Sequence, residues 1–164
     1  MRRAVRQRLA LVLVVAALAV TALWQWRHDA AASPATLLPL DPDAITRVTL
    51  ALPGHPTERY VRHDGHWWRD GEPPVAADEG RLEQLTGIAA AQALAWRPLS
   101  DFDPARIGLT HPVATLTLDD RTLRFGDTSA TGPLRYVQVG DRVALVPILA
   151  TPRPPKRDAI QLQP

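Results

Sequence analysis

The 164-residue chain has no cysteine, and that one absence removes disulfides, thiolate metal sites and cysteine nucleophiles together. Serine is almost as scarce. Only Ser33, Ser100 and Ser129 occur, and none stands in a G-x-S-x-G elbow, so serine-hydrolase chemistry has no obvious seat. A P-loop is also missing: "GDTSATG", Gly126 to Gly132, lacks the Gly-Lys-Ser/Thr ending and is followed by a strand pattern. No internal repeat of solenoid length is present. Lysine occurs once against 18 arginines, a skew that reflects genome composition more than chemistry. Glycine is modest at 9 while proline reaches 16, which describes a turn-rich folded chain.

Acid is absent before Asp29, and this divides the chain. Arg2, Arg3, Arg6, Arg8 and Arg27 flank the uncharged 18-residue run Leu9–Trp26. As a helix that run spans about 27 Å, close to the hydrocarbon thickness of a bilayer. The leading arginines orient it with the N-terminus in the cytoplasm, and Trp24 and Trp26 suit the far interface. A cleaved signal peptide is the rival, since Ala30-Ala31-Ala32 offers an A-x-A site, but that site lies well past the apolar run. From His28 onward there are 14 Lys and Arg against 17 Asp and Glu, a net charge of −3. An acidic exported part lacks the basic face that nucleic acid requires. The expectation is a single-pass bacterial inner-membrane protein with a cytoplasmic tip (1–8), an anchor (9–26), a Pro/Ala-rich tether (27–44), a periplasmic domain (45–150) and a Pro-rich tail (151–164).

Within that domain Ile45–Leu52 alternates, with Val48, Leu50 and Leu52 on one face, as a half-buried strand does. "RYVR" and "HWWR" form two short strands about Asp64-Gly65. After the loop "DGEPPVAAD", Asp78 sits at a helix N-cap and Glu79 in the first turn. Leu82, Leu85, Ile88 and Ala89 recur at helical spacing, so residues 79–95 read as one amphipathic helix. A connector follows, with a single turn at Pro104 to Ile107. Then come the strand candidates "VATLTL", "TLRF", "LRYVQV" and "RVALVPI", joined by turns at Asp119-Asp120, Gly126–Pro133 and Gly140-Asp141. The fold class is α+β: an antiparallel sheet of hairpins or a meander with one main packing helix, preceded by a single transmembrane helix.

The order of short motifs resembles the DUF4340 family of bacterial proteins, which has no assigned activity. The resemblance rests on "DGxW" (Asp64, Gly65, Trp67), "GLxxP" (Gly108, Leu109, Pro112), "FG" (Phe125-Gly126) and "RYV" (Arg135 to Val137), over roughly residues 43–148. It implies a membrane-anchored extracytoplasmic accessory protein; some relatives accompany ABC-type transport systems. It brings no catalytic residues, because its motifs are turn and core positions. Many relatives are longer, whereas this chain holds one copy of the unit.

The stretch with the most chemistry is "HDGHWWRDG", His63 to Gly71. With Asp64-Gly65 as a two-residue hairpin tip, His63 and His66 become cross-strand neighbours about 5 Å apart. Two ligands do not make a metal site, and His28, His55 and His111 lie in other loops. Trp67 and Trp68 must point to opposite faces. Trp67, with Tyr60, Arg62 and Arg69, is the expected core residue, and Trp68, with Val61, His63 and His66, the more exposed one. The paired acids Asp119-Asp120 and Asp101/Asp103 match turns, where carboxylates bond to backbone. The expected function is a non-catalytic interaction module without a cofactor, whose candidate surface is Trp68, Tyr60, His63 and His66. The alternative is a glycan- or metal-binding domain in which Trp68, Tyr60 and the Gly126–Pro133 loop surround a small pocket.

Overall fold

The computed structural model describes residues 36–154. The apolar run Leu9–Trp26 lies outside these residues, as does the chain from residue 155. Among the described residues no helix is long and apolar enough to cross a membrane.

Alternating side chains make β1 (Arg47–Ala51), in which Val48 and Leu50 are buried. β2 (Glu58–His63) and β3 (His66–Arg69) follow as a hairpin. Asp64 (φ 53°) and Gly65 (φ 82°) both occupy the left-handed region, as a type I′ turn demands. The sheet continues through β4 (Val75–Ala76), β5 (Ala95–Pro98), β6 (Ala114–Leu118), β7 (Arg121–Thr128), β8 (Leu134–Val139) and β9 (Arg142–Pro147). All nine strands form one antiparallel sheet in the order β4-β3-β2-β1-β6-β7-β8-β9-β5. The architecture is α+β, two meanders joined where β1 pairs with β6.

The helix α1 (Glu79–Gly87) starts as expected, with the Asp78 side chain accepting the Arg81 N–H at 3.1 Å. It is shorter than the 79–95 its periodicity predicts. After Gly87 the chain makes one 3-10 turn, Ile88–Ala90, and residues 95–98 become β5 against β9. An Ala-rich run favours helix locally, but the open edge of β9 offers backbone partners and Trp96 fits a pleated surface; tertiary pairing outweighs propensity. β4 was hidden for a related reason: a two-residue edge strand has no period to read.

Leu82, Leu85, Ile88 and Ala89 pack with Val48, Leu50, Tyr60, Trp67, Leu116, Phe125, Val137 and Val146 in the main core. The expected tether to residue 44 is in part folded. Leu37 and Leu38 are buried in this core, and their N–H groups donate to Ala91 and Ala89 carbonyls. On the opposite face of the sheet the connector covers β7–β9. Ile107, Leu109 and Val143 form a second cluster there, and Phe102 meets Tyr136 edge to face at 5.8 Å.

The glycines of the connector and β7 interlock. A Cβ on Gly126 would stand 2.2 Å from the Ile107 carbonyl oxygen, and one on Gly108 (φ 71°) 2.7 Å from the Asp127 nitrogen. Arg135 closes the joint by donating to the Gly126 carbonyl. Gly126→Ala should therefore lower unfolding stability by about 1–3 kcal/mol, as overpacking against rigid backbone does. Gly71→Ala, with open space around it, should stay within about 0.5 kcal/mol; chemical denaturation of the two variants checks the contrast.

Candidate functional site

Strand parity divides the predicted surface. Trp68 pairs with Val61 on the face away from α1, and His63 pairs with His66 at the hairpin end, where His66 reaches round to the start of α1. Trp67 is 3 % exposed in the main core, with the Arg62 guanidinium 5.8 Å above its ring. Trp68 is half-buried, at the side of a cavity of about 380 Å³ with Val61, His63, Asp64, Arg69, Asp70 and Pro74. The indole, Val61 and Pro74 form an apolar shelf, and the imidazole and two exposed carboxylates stand around it. That combination can take an apolar side chain from a partner or stack against a sugar ring.

Tyr60 does not belong to this shelf. It is buried on the α1 face, where its hydroxyl donates to Glu58 Oε2 at 2.7 Å. Glu58 Oε2 also pairs with Arg81 Nη1 at 2.7 Å, and Arg81 reaches the Tyr60 oxygen at 3.0 Å. The three ends are therefore one closed polar cluster between β2 and α1. Burial pushes the Glu58 carboxyl up, but hydrogen bonds from Arg81 and Tyr60, with the charges of Arg81 and Arg69, outweigh it and hold it below its ordinary value. Burial and the bond to Glu58 push the Tyr60 phenol up. Burial lowers the Arg81 guanidinium, while Glu58 and Tyr60 more than offset that and raise it. Glu58 and Arg81 were missed by sequence reasoning. Glu58 shares the inward parity of Tyr60, which was a usable signal, but nothing local says that Arg81 lies opposite.

The pocket that would combine Trp68, Tyr60 and the Gly126–Pro133 loop does not form. Trp68 and Tyr60 are on opposite faces, and β2, β1 and β6 separate β3 from β7. The loop is taken up otherwise: β7 runs on to Thr128, and Ser129 Oγ bonds Thr131 Oγ1 at 2.9 Å. The histidines do not share a ligand position either. His66 Nδ1 lies 3.4 Å from Glu79 Oε1, and that carboxylate also accepts the Trp67 N–H at 2.8 Å. Among the described residues there is no group of three or more His, Cys, Asp or Glu able to hold a metal ion.

Of the four paired acids, Asp119 and Asp103 hold backbone as expected, whereas Asp101 and Asp120 face arginine side chains. Asp119 (φ 51°) accepts from Thr46 N, Thr46 Oγ1 and Arg47 N within 2.9–3.1 Å, tying the β6–β7 turn to β1. Asp103 accepts the Ala105 N–H at 3.0 Å, and Asp101 meets Arg97 at 3.3 Å. No family model matches the chain, and neither the curated proteins nor the solved structures contain a match. The resemblance to DUF4340 thus rests on the motif residues alone.

Two expectations follow from this geometry. Trp67→Ala should cost about 3–5 kcal/mol, whereas Trp68→Ala should leave the domain folded; near-UV circular dichroism and denaturant titration separate them. The lowered Glu58 carboxyl means that its ion pair contributes stability present above the ordinary value of 4.5 and lost as pH falls through the folded value. Glu58→Gln should therefore destabilise the chain by about 3 kcal/mol near neutrality, by leaving Arg81 without a counter-ion. The gap to the unmodified protein should narrow on acidification. A gap independent of pH would remove the ion pair from the account.

Proposed function

We propose that this chain is a membrane-anchored, periplasmic, non-catalytic accessory module that holds a protein partner in an envelope assembly through the Trp68 face. One observation carries the docking surface: the half-buried indole of Trp68 beside Val61 and Pro74, on a sheet face that α1 does not cover. A rigid aromatic anchor rimmed by polar groups is the composition from which binding hot spots are made. Support for the setting comes from the apolar run Leu9–Trp26 and its arginine flank. The resemblance to DUF4340 favours an envelope partner, with an ABC-type transporter the first to examine. The acidic balance beyond the anchor disfavours nucleic acid.

A second reading has its own observation. His63, Asp64 and Asp70 surround the same shelf, and planar polar groups around a half-buried indole also suit a glycan.

Crosslinking in membranes, followed by purification of the full chain, tests the first reading. A stoichiometric membrane-protein partner is expected, and Trp68→Ala should weaken its capture by about 2 kcal/mol, roughly thirtyfold. Loss of Met1 to Arg27 should abolish function in the cell. A chain that purifies alone but gains several degrees of melting temperature with an oligosaccharide would instead support the glycan reading.

A further inference from the structure

A second and larger concavity, of about 1050 Å³, lies on the opposite side of the sheet from Trp68. Its sides are α1, the β3–β4 edge and the segment Leu149–Pro154. Three features set it apart. The first is charge. Arg69, Arg81 and Arg153 line it against a single acid, Asp78, although the described residues as a whole hold 12 arginines and 15 acids. Asp78 is already engaged as the α1 cap, and the single charge of Glu58 beneath the floor, paired directly with Arg81 and felt by Arg69, offsets one of the three arginines. The groove is therefore electropositive within an acidic domain.

The second feature is unused hydrogen-bonding capacity. Arg81 spends Nη1 on Glu58 and Tyr60, while its Nη2 is buried with no partner. The Thr151 hydroxyl, across the same groove, is likewise buried and unpaired. Folded proteins rarely leave such groups unsatisfied, least of all on a cation. The third is apolar. Val75, 58 % exposed, and Leu149, 81 % exposed, stand at the groove's lips, with Leu85, Ile88 and Pro152 within. Few of the large apolar side chains among the described residues are so exposed.

We infer that this groove binds an amphiphilic anion, with an oxyanion headgroup at Arg69 and Arg81 and an aliphatic chain along Val75, Leu85 and Leu149. A guanidinium pair matches the planar oxygens of a carboxylate or the oxygens of a phosphate ester. Apolar walls with a few convergent polar groups are the usual composition of a small-molecule site. The anchor carries none of this inference; Arg69 also lines the Trp68 cavity, but Arg81 and Leu149 do not, so Leu149→Asp separates this groove from that face.

The test titrates the full chain, in phosphatidylcholine nanodiscs, with dansyl-undecanoic acid, a carboxylate amphiphile whose emission rises in an apolar site. Empty nanodiscs supply the background. Saturable binding above that background is expected, displaced by decanoate or decyl phosphate and not by decanol. Which of the two anions displaces better identifies the headgroup. Because Arg81→Gln also strips Glu58 of its partner, the exposed Arg69→Glu and Leu149→Asp carry the test. Each should weaken binding about tenfold or more. Leu149→Asp should do so with an unchanged unfolding midpoint, while Arg69→Glu, which loses the guanidinium over the Tyr60 ring and its charge near Glu58, is titrated well below its own midpoint. Absence of saturable binding, displacement by decanol equal to that by decanoate, or unaltered affinity in Arg69→Glu would overturn the inference.

Discussion

The pairing of β1 with β6 is the joint on which the rest of the domain depends. One meander runs outward from β1 to β4 and the other from β6 to β9, and this ladder is the only place where they meet in the sheet order. Its inward residues, Val48, Leu50, Leu116 and Leu118, are at most 1 % exposed. Its end is pinned by the Asp119 carboxylate, which accepts from Thr46 and Arg47, while the Asp119 N–H donates to the Arg47 carbonyl at 2.9 Å. A carboxylate that takes several N–H and O–H donors in the left-handed turn of one hairpin, from a strand far away in sequence, sets register as well as affinity. Both faces of the sheet inherit their content from that register.

One face is a core and the other is divided. Inward side chains of both meanders close on α1, while the connector from Leu99 to Leu109 covers only β7–β9 of the outer face. The outer face of β1–β3 is left to Thr49, Arg47, Arg59 and the Trp68 shelf. The Gly108–Asp127 and Gly126–Ile107 contacts show why the connector lies there: only residues without a Cβ allow backbones so close. The motifs behind the DUF4340 resemblance meet at these positions or at the β2–β3 turn, which is consistent with their being fold determinants.

The Glu58–Tyr60–Arg81 cluster does for α1 what Asp119 does for the strands. It fixes the helix over β2 through a partly shielded ion pair with a phenol between its members. Such pairs contribute less net stability than their Coulomb energy suggests, since both ions are taken from water. Their effect is positional: the pair holds Arg81 at the floor of the groove between α1 and β4, which Arg69 and Arg153 also line.

What the sequence determined by itself was local. Asp64-Gly65 dictated a hairpin tip, alternation sent Trp67 inward and Trp68 outward, Asp78 began a helix, and seven strands followed from period and turn chemistry. Alternation also placed Tyr60 on Trp67's side, and grouping it with Trp68 in one binding surface ignored that parity. Tertiary structure decided whatever depended on a partner distant in sequence. Ala95–Pro98 became a strand because β9 had a free edge, Leu37 and Leu38 joined the core because the 3-10 turn after α1 offered them carbonyls, and Arg81 found Glu58 because two meanders folded onto one helix. Propensity and periodicity act over a few residues, whereas burial and hydrogen-bond satisfaction are settled only when the whole sheet closes on its core.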